Sequence, residues 1–457
     1  MNKKDHRKSY IFFTSLWILV AMVFMYSMVW FQCYNSVIHR PFLTVGNWLI
    51  FALYAFFLLL TAKIYGGYKV GHLRKGNIIF SSLLSIGMVN VVTYFQISLI
   101  GRELMAVVPM LVLTASQAAV IVLWTLVINW LYEKLYPPRQ MLMIYGSELV
   151  DTLAVKMSSR PEKYVIAKRM NIDEGLDAIY AEMEHYDGVI ICDVKAQIRN
   201  KLVKYCYGKS IRTYLTPKIS DVIIRNGINV DLFDTPLVLC PNTGLSPEQA
   251  FVKRCVDLAI AIPMTIVALP FMGITALLVK LQDGGPVLFK QKRCTINERV
   301  FNVLKFRSMI VDAEKDGKSR PCVDNDPRIT PVGKFIRKTR LDELPQLFNI
   351  LKGDMSIVGP RPERIEHIES YSREIPEFKF RLKVKAGLTG YAQIAGKYNT
   401  SAYDKIKLDL MYIERYTLRR DFKLMLMTLK ILFMSDSTEG FTKKESEDMR
   451  TKGKIKK

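Results

Sequence analysis

Two adjacent carboxylates, Asp342 and Glu343, lie in the stretch TRLDELPQLFNILKG, which ends at Gly353. The apolar residues that follow them recur at the spacing of one helix face, and glycine commonly ends a helix. The pattern therefore places both carboxylates at a helix N-terminus, where unpaired backbone N–H groups favour negative charge. Acidic residues are also ordinary helix caps, so this position alone does not establish catalysis.

Basic residues in the surrounding motifs could work with this pair. Arg337 precedes it, Arg361 stands between two prolines in GPRP, and Lys305 and Arg307 belong to KFRSM. A phosphoryl group in transfer needs cations around its equatorial oxygens, and a guanidinium can bind two such oxygens at once. A carboxylate near these cations stays ionised and can act as a nucleophile. Two carboxylates beside bound phosphates could also hold Mg2+.

The composition indicates a basic protein that lies partly in lipid. The chain has 457 residues, of which 50% are hydrophobic, and a formal net charge of +23. Such a charge favours an anionic partner, for example a phosphorylated substrate or the lipids of an acidic membrane surface. No aromatic-and-basic binding motif stands out, so nucleic acid is not expected as a partner. The seven cysteines show no zinc or disulfide spacing.

Residues 1–138 contain four apolar runs, each near the length of a membrane-spanning helix. The runs cover about residues 11–31, 46–62, 78–100 and 104–132. Lysines and arginines concentrate before the first run, between the second and third, and after the fourth. Because basic loops stay in the cytoplasm, the sequence predicts a four-helix transmembrane domain with both ends inside the cell.

Residues 139–245 change to short apolar strands that alternate with helical patterns, which predicts a parallel α/β domain. MLMIYG before a helix has the form of the opening of a Rossmann unit. Only Gly146 of the G-x-G-x-x-G fingerprint is present, however. The sequence therefore predicts a degenerate Rossmann-like domain without a working dinucleotide site.

Residues 250–286 hold a further apolar segment that is long enough to span a bilayer. Pro263 and Pro270 interrupt it, and both of its flanks are basic. Because an interior proline kinks a helix, the pattern predicts a re-entrant membrane helix, broken at Pro270, that enters and leaves on one face. The alternative is a fifth crossing, which would place the strongly basic remainder outside the cell.

The last part of the chain is mixed and basic. Residues 287–440 combine two strand-like segments with several helical patterns, which predicts a small mixed α/β domain. Residues 441–457 are rich in lysine and glutamate and predict a disordered tail.

Several motifs of this part occur together in the order of a known family. They are KQKR, KFRSM, DPRITPVGKFIRKTRLDELPQLFNILKGDMSIVGPRPE, KAGLTGYAQIAGK and LDLMYI. With them the chain resembles the bacterial polyprenyl-phosphate hexose-1-phosphate transferases, membrane enzymes that start capsule and exopolysaccharide synthesis. The resemblance implies a multi-pass protein of the bacterial inner membrane with a monotopic phosphoglycosyl transferase domain on the cytoplasmic face.

The resemblance also implies a reaction. A hexose-1-phosphate passes from a UDP-sugar to undecaprenyl phosphate, and UMP is released. Asp342 matches the nucleophile that forms an aspartyl–phosphosugar intermediate beside Mg2+, and Glu343 matches the acid that assists it. Lys305, Arg337 and Arg361 match positions near the two acids and the substrate phosphates.

Three residues depart from the family pattern. Leu269 replaces a frequent serine before Pro270, which matches the family's helix-breaking proline. Ala386 replaces a usual proline, and Tyr391 replaces a usual tryptophan. These changes affect the expected geometry of the helix break and the recognition of nucleotide or sugar.

Glucose or galactose is the favoured sugar, and a homo-oligomer is left open.

Two other functions are open from the residues themselves. Asp324 and Asp326 form an Asp-x-Asp pattern that suits the metal site of a nucleotide-sugar glycosyltransferase, although Asp326 before a proline also suits a turn. Such an enzyme would release UDP instead of UMP. A non-catalytic membrane scaffold would explain the positive charge but not the clustered acidic and basic motifs.

Overall fold

The computed structural model divides into two compact units, Met1–Thr216 and Pro217–Lys457. The described residues are 3–38, 41–146, 150–158, 160–232, 234–240, 244–311, 313, 326–396 and 400–432. The predicted tail at 441–457 lies outside the described residues.

The first unit begins with four long helices. They are α1 (Lys3–Val29, continued by a π-helical turn at Trp30–Tyr34), α2 (Val45–Tyr65), α3 (Lys75–Gly101) and α4 (Val108–Leu135). Helix α1 contacts α2 and α4, and α3 contacts the same two helices. Buried polar groups join them: the Tyr54 hydroxyl donates to Asn90 Oδ1 at 2.8 Å, and Gln117 Nε2 donates to the Met22 carbonyl at 3.1 Å. These hydrogen bonds give partners to several of the polar groups that the bundle withdraws from water.

An α/β layer completes the first unit. Its elements are β1 (Arg139–Tyr145), α5 (Val150–Ser158), β2 (Tyr164–Asn171), α6 (Leu176–Met183), β3 (Gly188–Cys192), α7 (Ala196–Gly208) and β4 (Thr213–Leu215). The four strands are parallel in the order β2-β1-β3-β4. The central strands β1 and β3 are buried on both faces, as strands covered by helices are expected to be. The predicted strand–helix alternation is confirmed up to Leu215.

The second unit begins earlier in the chain than the sequence indicates. The sequence assigns residues up to 245 to the α/β domain. Instead, α8 (Ile219–Arg225) buries Ile219 and Val222 in a cluster with residues of the second unit, including Ile406 and Leu410. A two-stranded antiparallel ribbon follows it, formed by β5 (Ile228–Val230) and β6 (Leu237–Leu239). An amphipathic turn of helix joins whichever apolar surface it can cover, and the local pattern does not specify that surface.

The longest helix of the second unit is α9, Pro247–Asp283. Ser246 caps it by accepting a hydrogen bond from the Gln249 N–H, and Gly284 ends it in the left-handed conformation at φ 68°. The helix runs without interruption through Pro263 and Pro270, where the sequence predicts a break at Pro270. A proline removes a single backbone hydrogen bond, and here the turns on both sides of it continue the helix.

Helix α9 has one packed face and one open face. Residues spaced three or four apart along its whole length are buried against the rest of the second unit: Lys253, Asp257, Ala261, Thr265, Ala268, Met272, Thr275 and Val279. The opposite face exposes large apolar side chains, among them Ile266, Leu269 and Phe271. Within the described residues, α9 and the four helices of the first unit are long and apolar enough to cross a membrane, by length and composition.

The remainder of the second unit packs around α9. Two strands, β7 (Leu288–Cys294) and β8 (Val300–Phe306), come first, as the sequence predicts, and they pair as an antiparallel hairpin. The later elements are α10 (Pro331–Lys338), α11 (Gln346–Lys352), β9 (Ser356–Val358), α12 (Ile365–Glu374), β10 (Gly387–Thr389), α13 (Tyr391–Ala395), α14 (Ala402–Ile413) and α15 (Leu418–Leu432). Strands β9 and β10 pair in parallel.

Candidate active site

The acidic pair lies one turn before the helix that the sequence assigns to it. Asp342 and Glu343 belong to a single 3-10 turn, Leu341–Glu343, and α11 begins only after Pro345. Arg340 enters this turn in the left-handed conformation, at φ 60°. The predicted end of the helix at Gly353 is confirmed, with φ 93°. Because the pair precedes a short helix of seven residues, side chains and not a helix dipole supply the positive charge around it.

Glu343 contacts the nearest cationic side chains. Lys305, near the end of β8, donates to its Oε1 at 2.8 Å, and Arg361 Nη2 lies 3.4 Å from the same oxygen. Arg340 Nη1 is 3.9 Å from Oε2. The Glu343 side chain is 15% exposed, so these interactions are only partly screened by water. The structure thus brings together Lys305, Arg361 and Glu343, as predicted from motifs that are far apart in the chain.

Asp342 is left without a direct partner. Among the described residues it makes no hydrogen bond or ion pair, and its side chain is partly exposed. Burial and the negative charge of Glu343 raise its pKa, and the positive charges of Lys305, Arg337 and Arg340 offset only part of this effect. For Glu343, burial favours the neutral acid, but Lys305, Arg361 and Arg340 outweigh it and lower the pKa below its usual range. The cations therefore stabilise the ionised form of Asp342, but they do not fully cancel the effect of burial and of Glu343 on its pKa.

Arg361 sits in a backbone turn that is fixed on two sides. The turn Gly359–Pro362 follows β9, and the N–H of Gly359 donates to the Thr389 carbonyl at 2.8 Å. The N–H of Gly387 donates back to the Pro360 carbonyl at 2.9 Å. A Cβ on Gly387 would lie 2.1 Å from the Gly359 nitrogen, so this close approach of two chains requires glycine. These contacts fix the backbone from which the Arg361 side chain projects.

Arg307 has a different role from the predicted one. The sequence places it with the phosphate-binding cations, but its side chain is only 7% exposed and its guanidinium pairs with Asp283 at the end of α9. Its Nε also donates to the Pro286 carbonyl at 2.7 Å. Lys305 and Arg307 are two residues apart on an extended segment, yet Lys305 pairs with Glu343 and Arg307 pairs with Asp283. The structure therefore assigns Arg307 to fastening α9 onto the hairpin.

Asp257, a buried aspartate of α9, supports the strand that leads into the Gly359–Pro362 turn. The sequence analysis did not identify it. Asp257 Oδ1 accepts hydrogen bonds from Ser356 Oγ and from the Ile357 N–H, both at 3.0 Å. Ser356 and Ile357 form the start of β9, which leads directly to Arg361. A carboxylate inside an otherwise apolar helical run is a signal that could have identified Asp257, because such a charge needs a specific partner.

A second buried network lies behind Arg361. Arg381 Nη2 donates to the Arg361 carbonyl at 3.0 Å and lies 2.8 Å from Asp409 Oδ2. Burial raises the pKa of Asp409 to about 6, although Arg381 opposes that effect. Glu363 joins the network through Arg381 and Lys405. No local sequence pattern could have revealed this network, because its members are far apart along the chain.

The Asp-x-Asp alternative finds no support in the described residues. Asp326 is buried and both of its carboxylate oxygens bind the side chain of Arg328, at 2.9 and 2.6 Å. Its carbonyl accepts a hydrogen bond from the Ile329 N–H, so the predicted turn is confirmed. Asp324 lies outside the described residues.

Comparisons with known proteins cover the part of the chain that contains this site. The family described as bacterial sugar transferase matches residues 248–435, which include α9 and every element around the acidic pair. Among curated proteins, the chain is 42% identical over 190 residues to "UDP-N-acetylgalactosamine-undecaprenyl-phosphate N-acetylgalactosaminephosphotransferase" of Aeromonas hydrophila, covering 41% of this chain and 45% of that one. It is 36% identical over 256 residues to "UDP-glucose:undecaprenyl-phosphate glucose-1-phosphate transferase" of Escherichia coli (strain K12), covering 55% and 53%.

A third relative is covered almost throughout. The chain is 38% identical over 222 residues to "UDP-glucose:undecaprenyl-phosphate glucose-1-phosphate transferase" of Caulobacter vibrioides, and the match takes 45% of this chain and 82% of that protein. With the first two relatives, by contrast, the match spans about half of their length (45% and 53%). The match to most of one relative, together with the family match over α9 and the acidic pair, shows that the chain belongs to the bacterial sugar transferase family.

Proposed function

We propose that the protein transfers a hexose-1-phosphate from a UDP-sugar to undecaprenyl phosphate, releases UMP, and thereby starts a capsule or exopolysaccharide repeat unit. The observation that carries this proposal is the position of Asp342, a partly exposed carboxylate without a partner among the described residues. It lies next to Glu343, which binds Lys305 and Arg361. Relatives named as undecaprenyl-phosphate sugar transferases share this part of the chain. Those names differ in the sugar, so glucose or galactose remains a prediction from the sequence.

The transfer proceeds in two displacements at one phosphorus. An Asp342 carboxylate oxygen forms a bond to the phosphorus that carries the sugar, while the bond from that phosphorus to the bridging oxygen breaks and UMP leaves with the electron pair. A phosphate oxygen of the lipid then attacks the same phosphorus, and the Asp342 carboxylate leaves. The side chain is regenerated, and the product is a lipid diphosphate sugar.

The cations of the site stabilise the charge of both displacements. Lys305 and Arg361 lie on one side of Glu343 within 3.4 Å of its Oε1, so they can turn toward incoming phosphate oxygens without long movements. Glu343 has a lowered pKa and is a weak base. Its role in this proposal is to hold Lys305 and Arg361 in position, rather than to accept a proton.

Mg2+ is a proposed cofactor that fits the donors present. The described residues contain no cluster of three or more His, Cys, Asp or Glu side chains, so a complete protein cage for a metal is absent from them. Mg2+ usually takes only one or two carboxylates and completes its shell with substrate phosphates and water. Asp342, whose oxygens have no partner among the described residues, can supply such a ligand. When bound, the cation would neutralise diphosphate charge and favour the ionised form of Asp342.

The membrane arrangement is part of the same proposal. Lys253, near the start of α9, pairs with Asp421, and Asp283, at its end, pairs with Arg307. Both partners belong to the second unit, so the two ends of α9 meet one folded domain while its apolar face stays open. A helix that crossed the bilayer could not do this. We infer that both ends of α9 lie on the cytoplasmic face, and that the four helices of the first unit span the inner membrane.

Asp342→Asn tests the function directly. The amide keeps the size of the side chain and removes the nucleophile, so UMP release from UDP-sugars in the presence of undecaprenyl phosphate should fall by about 10^4-fold or more. Asp234→Asn, at an exposed position of the same unit, is the matched control and should behave as the unaltered protein. Turnover of the Asp342 variant near the normal rate, or release of UDP in place of UMP, would contradict the proposal.

A further inference from the structure

The first unit contains a cavity that the transfer reaction does not use. It encloses about 270 Å3 between the loop that joins α2 to α3, the last turns of α4, and the segment between α5 and β2. The residues that line it are Gly71, Leu73, Arg74, Lys75, Asn129, Tyr132, Glu133, Arg160, Glu162 and Lys163. Its volume is slightly below that of sites for drug-sized ligands, about 300–1,000 Å3, so it suits a small polar group.

The wall of this cavity carries more positive than negative charge. Four of its residues are basic and two are acidic. Both acids already have partners, since Glu133 lies 3.0 Å from Lys75 Nζ and Glu162 lies 2.5 Å from Arg160 Nε. Lys163, in contrast, has no carboxylate at ion-pair distance in the part of the chain that the structure describes. Its ammonium lies 5.2 Å from the centre of the Tyr164 ring, a contact that does not neutralise its charge.

The pKa values of two groups at this cavity are lowered by the positive charges around them. Burial lowers the pKa of His72, and Lys163, Lys69, Arg160 and Arg139 lower it further. Burial and Arg160 also lower the pKa of Lys163. Cations that disfavour one another's charge in this way are stabilised when an anion binds among them.

The position of the cavity indicates where its ligand comes from. It lies at the ends of three of the candidate membrane helices, on the side where the chain continues into the α/β layer. The exposed Trp130 ring, with Lys134 Nζ 5.3 Å from its centre, lies on the same last turns of α4. Tryptophan and lysine in such positions are typical of the level of the lipid headgroups. Basic pockets between helices on the cytoplasmic side bind acidic headgroups.

We propose that this cavity is a binding site for a phosphate-bearing anion, held by Lys163 and Arg160, and that the headgroup of an acidic phospholipid occupies it. A free phosphate ion has the same chemistry and is the other source that the experiment must distinguish. This site is independent of the transfer reaction, because lipid binding to it can be measured without measuring transfer.

The test uses the full chain in nanodiscs of phosphatidylcholine, with or without phosphatidylglycerol, and in a third arm with inorganic phosphate added to phosphatidylcholine discs. Two quantities are measured: the unfolding temperature, and the phosphatidylglycerol that stays bound after detergent extraction, by native mass spectrometry. Phosphatidylglycerol should raise the unfolding temperature and remain bound. Lys163→Gln should reduce retention by about ten-fold, the effect of one lost charge-assisted contact.

Two controls separate binding from a loss of structure. Lys163→Arg keeps the charge and should retain the lipid. Lys201→Gln removes a charge from α7, which does not line the cavity, and should leave retention unchanged. A response to inorganic phosphate alone, with the same dependence on Lys163, would assign the site to free phosphate. The proposal is overturned if neither arm depends on Lys163, or if Lys201→Gln loses as much lipid as Lys163→Gln.

Discussion

Removing the charge of Lys305 tests whether Glu343 and its cations act as one unit. The Lys305 ammonium lies 2.8 Å from Glu343 Oε1, and the two side chains are 24% and 15% exposed. A charge-assisted hydrogen bond at such partly buried groups contributes about 2 kcal/mol, within a range of about 1.5–3. If Lys305→Met loses this contribution in the transition state, kcat/KM should fall by about 30-fold, since 1.36 kcal/mol is a factor of ten.

The assay is a double-mutant cycle. UMP release is measured for Lys305→Met, Glu343→Gln and the double variant under identical conditions in the same detergent or nanodisc. Because both single changes break the same pair, the double variant should lose less than the product of the two single losses, by about 2 kcal/mol of coupling. Lys290→Met, at an exposed position on the adjacent strand, is the matched control and should keep normal activity.

Two results would refute this reasoning. The first is a double variant whose loss equals the product of the single losses to within about 0.5 kcal/mol, which is the behaviour of independent sites. The second is Lys305→Met with normal kcat/KM, which would mean that the pair at 2.8 Å has no part in the transition state.

Two more predictions concern the acid limb and the membrane. Glu343→Gln removes the negative charge that contributes to the raised pKa of Asp342, so the acid limb of the pH profile of kcat/KM should move to lower pH, and the rate should fall. An acid limb that stays in place or moves to higher pH would show that Asp342 does not control it. Cysteines at Ala250, near the start of α9, and at Lys290, on β7 after the end of α9, are at exposed positions and should both react with a membrane-impermeant maleimide only from the cytoplasmic side. Labelling from opposite sides would mean that α9 crosses the bilayer.

The sequence predicted well where a signal is local. The adjacent acids, the GPRP turn and the KFRSM strand are each short motifs, and the family that they indicate is confirmed. Strands β1, β2, β3, β7 and β8 were predicted because their apolar patterns are short and bounded by polar residues. Arg307 was misassigned because its partner, Asp283, lies at the end of α9, and the local pattern does not show which distant carboxylate an arginine meets.

The sequence by itself determined the parts: apolar segments long enough for a membrane, a parallel α/β layer, and the Asp342–Glu343 pair with basic motifs around it. Only the tertiary structure decided which carboxylate receives the cations. Lys305 and Arg361 both bind Glu343, and the Asp342 oxygens have no partner among the described residues. Burial and the charge of Glu343 raise the pKa of Asp342. The fold also decided that Asp257 on α9 fixes the strand leading to Arg361. Electrostatic and hydrogen-bonding effects of this kind depend on distances through space, which separation along the chain does not encode.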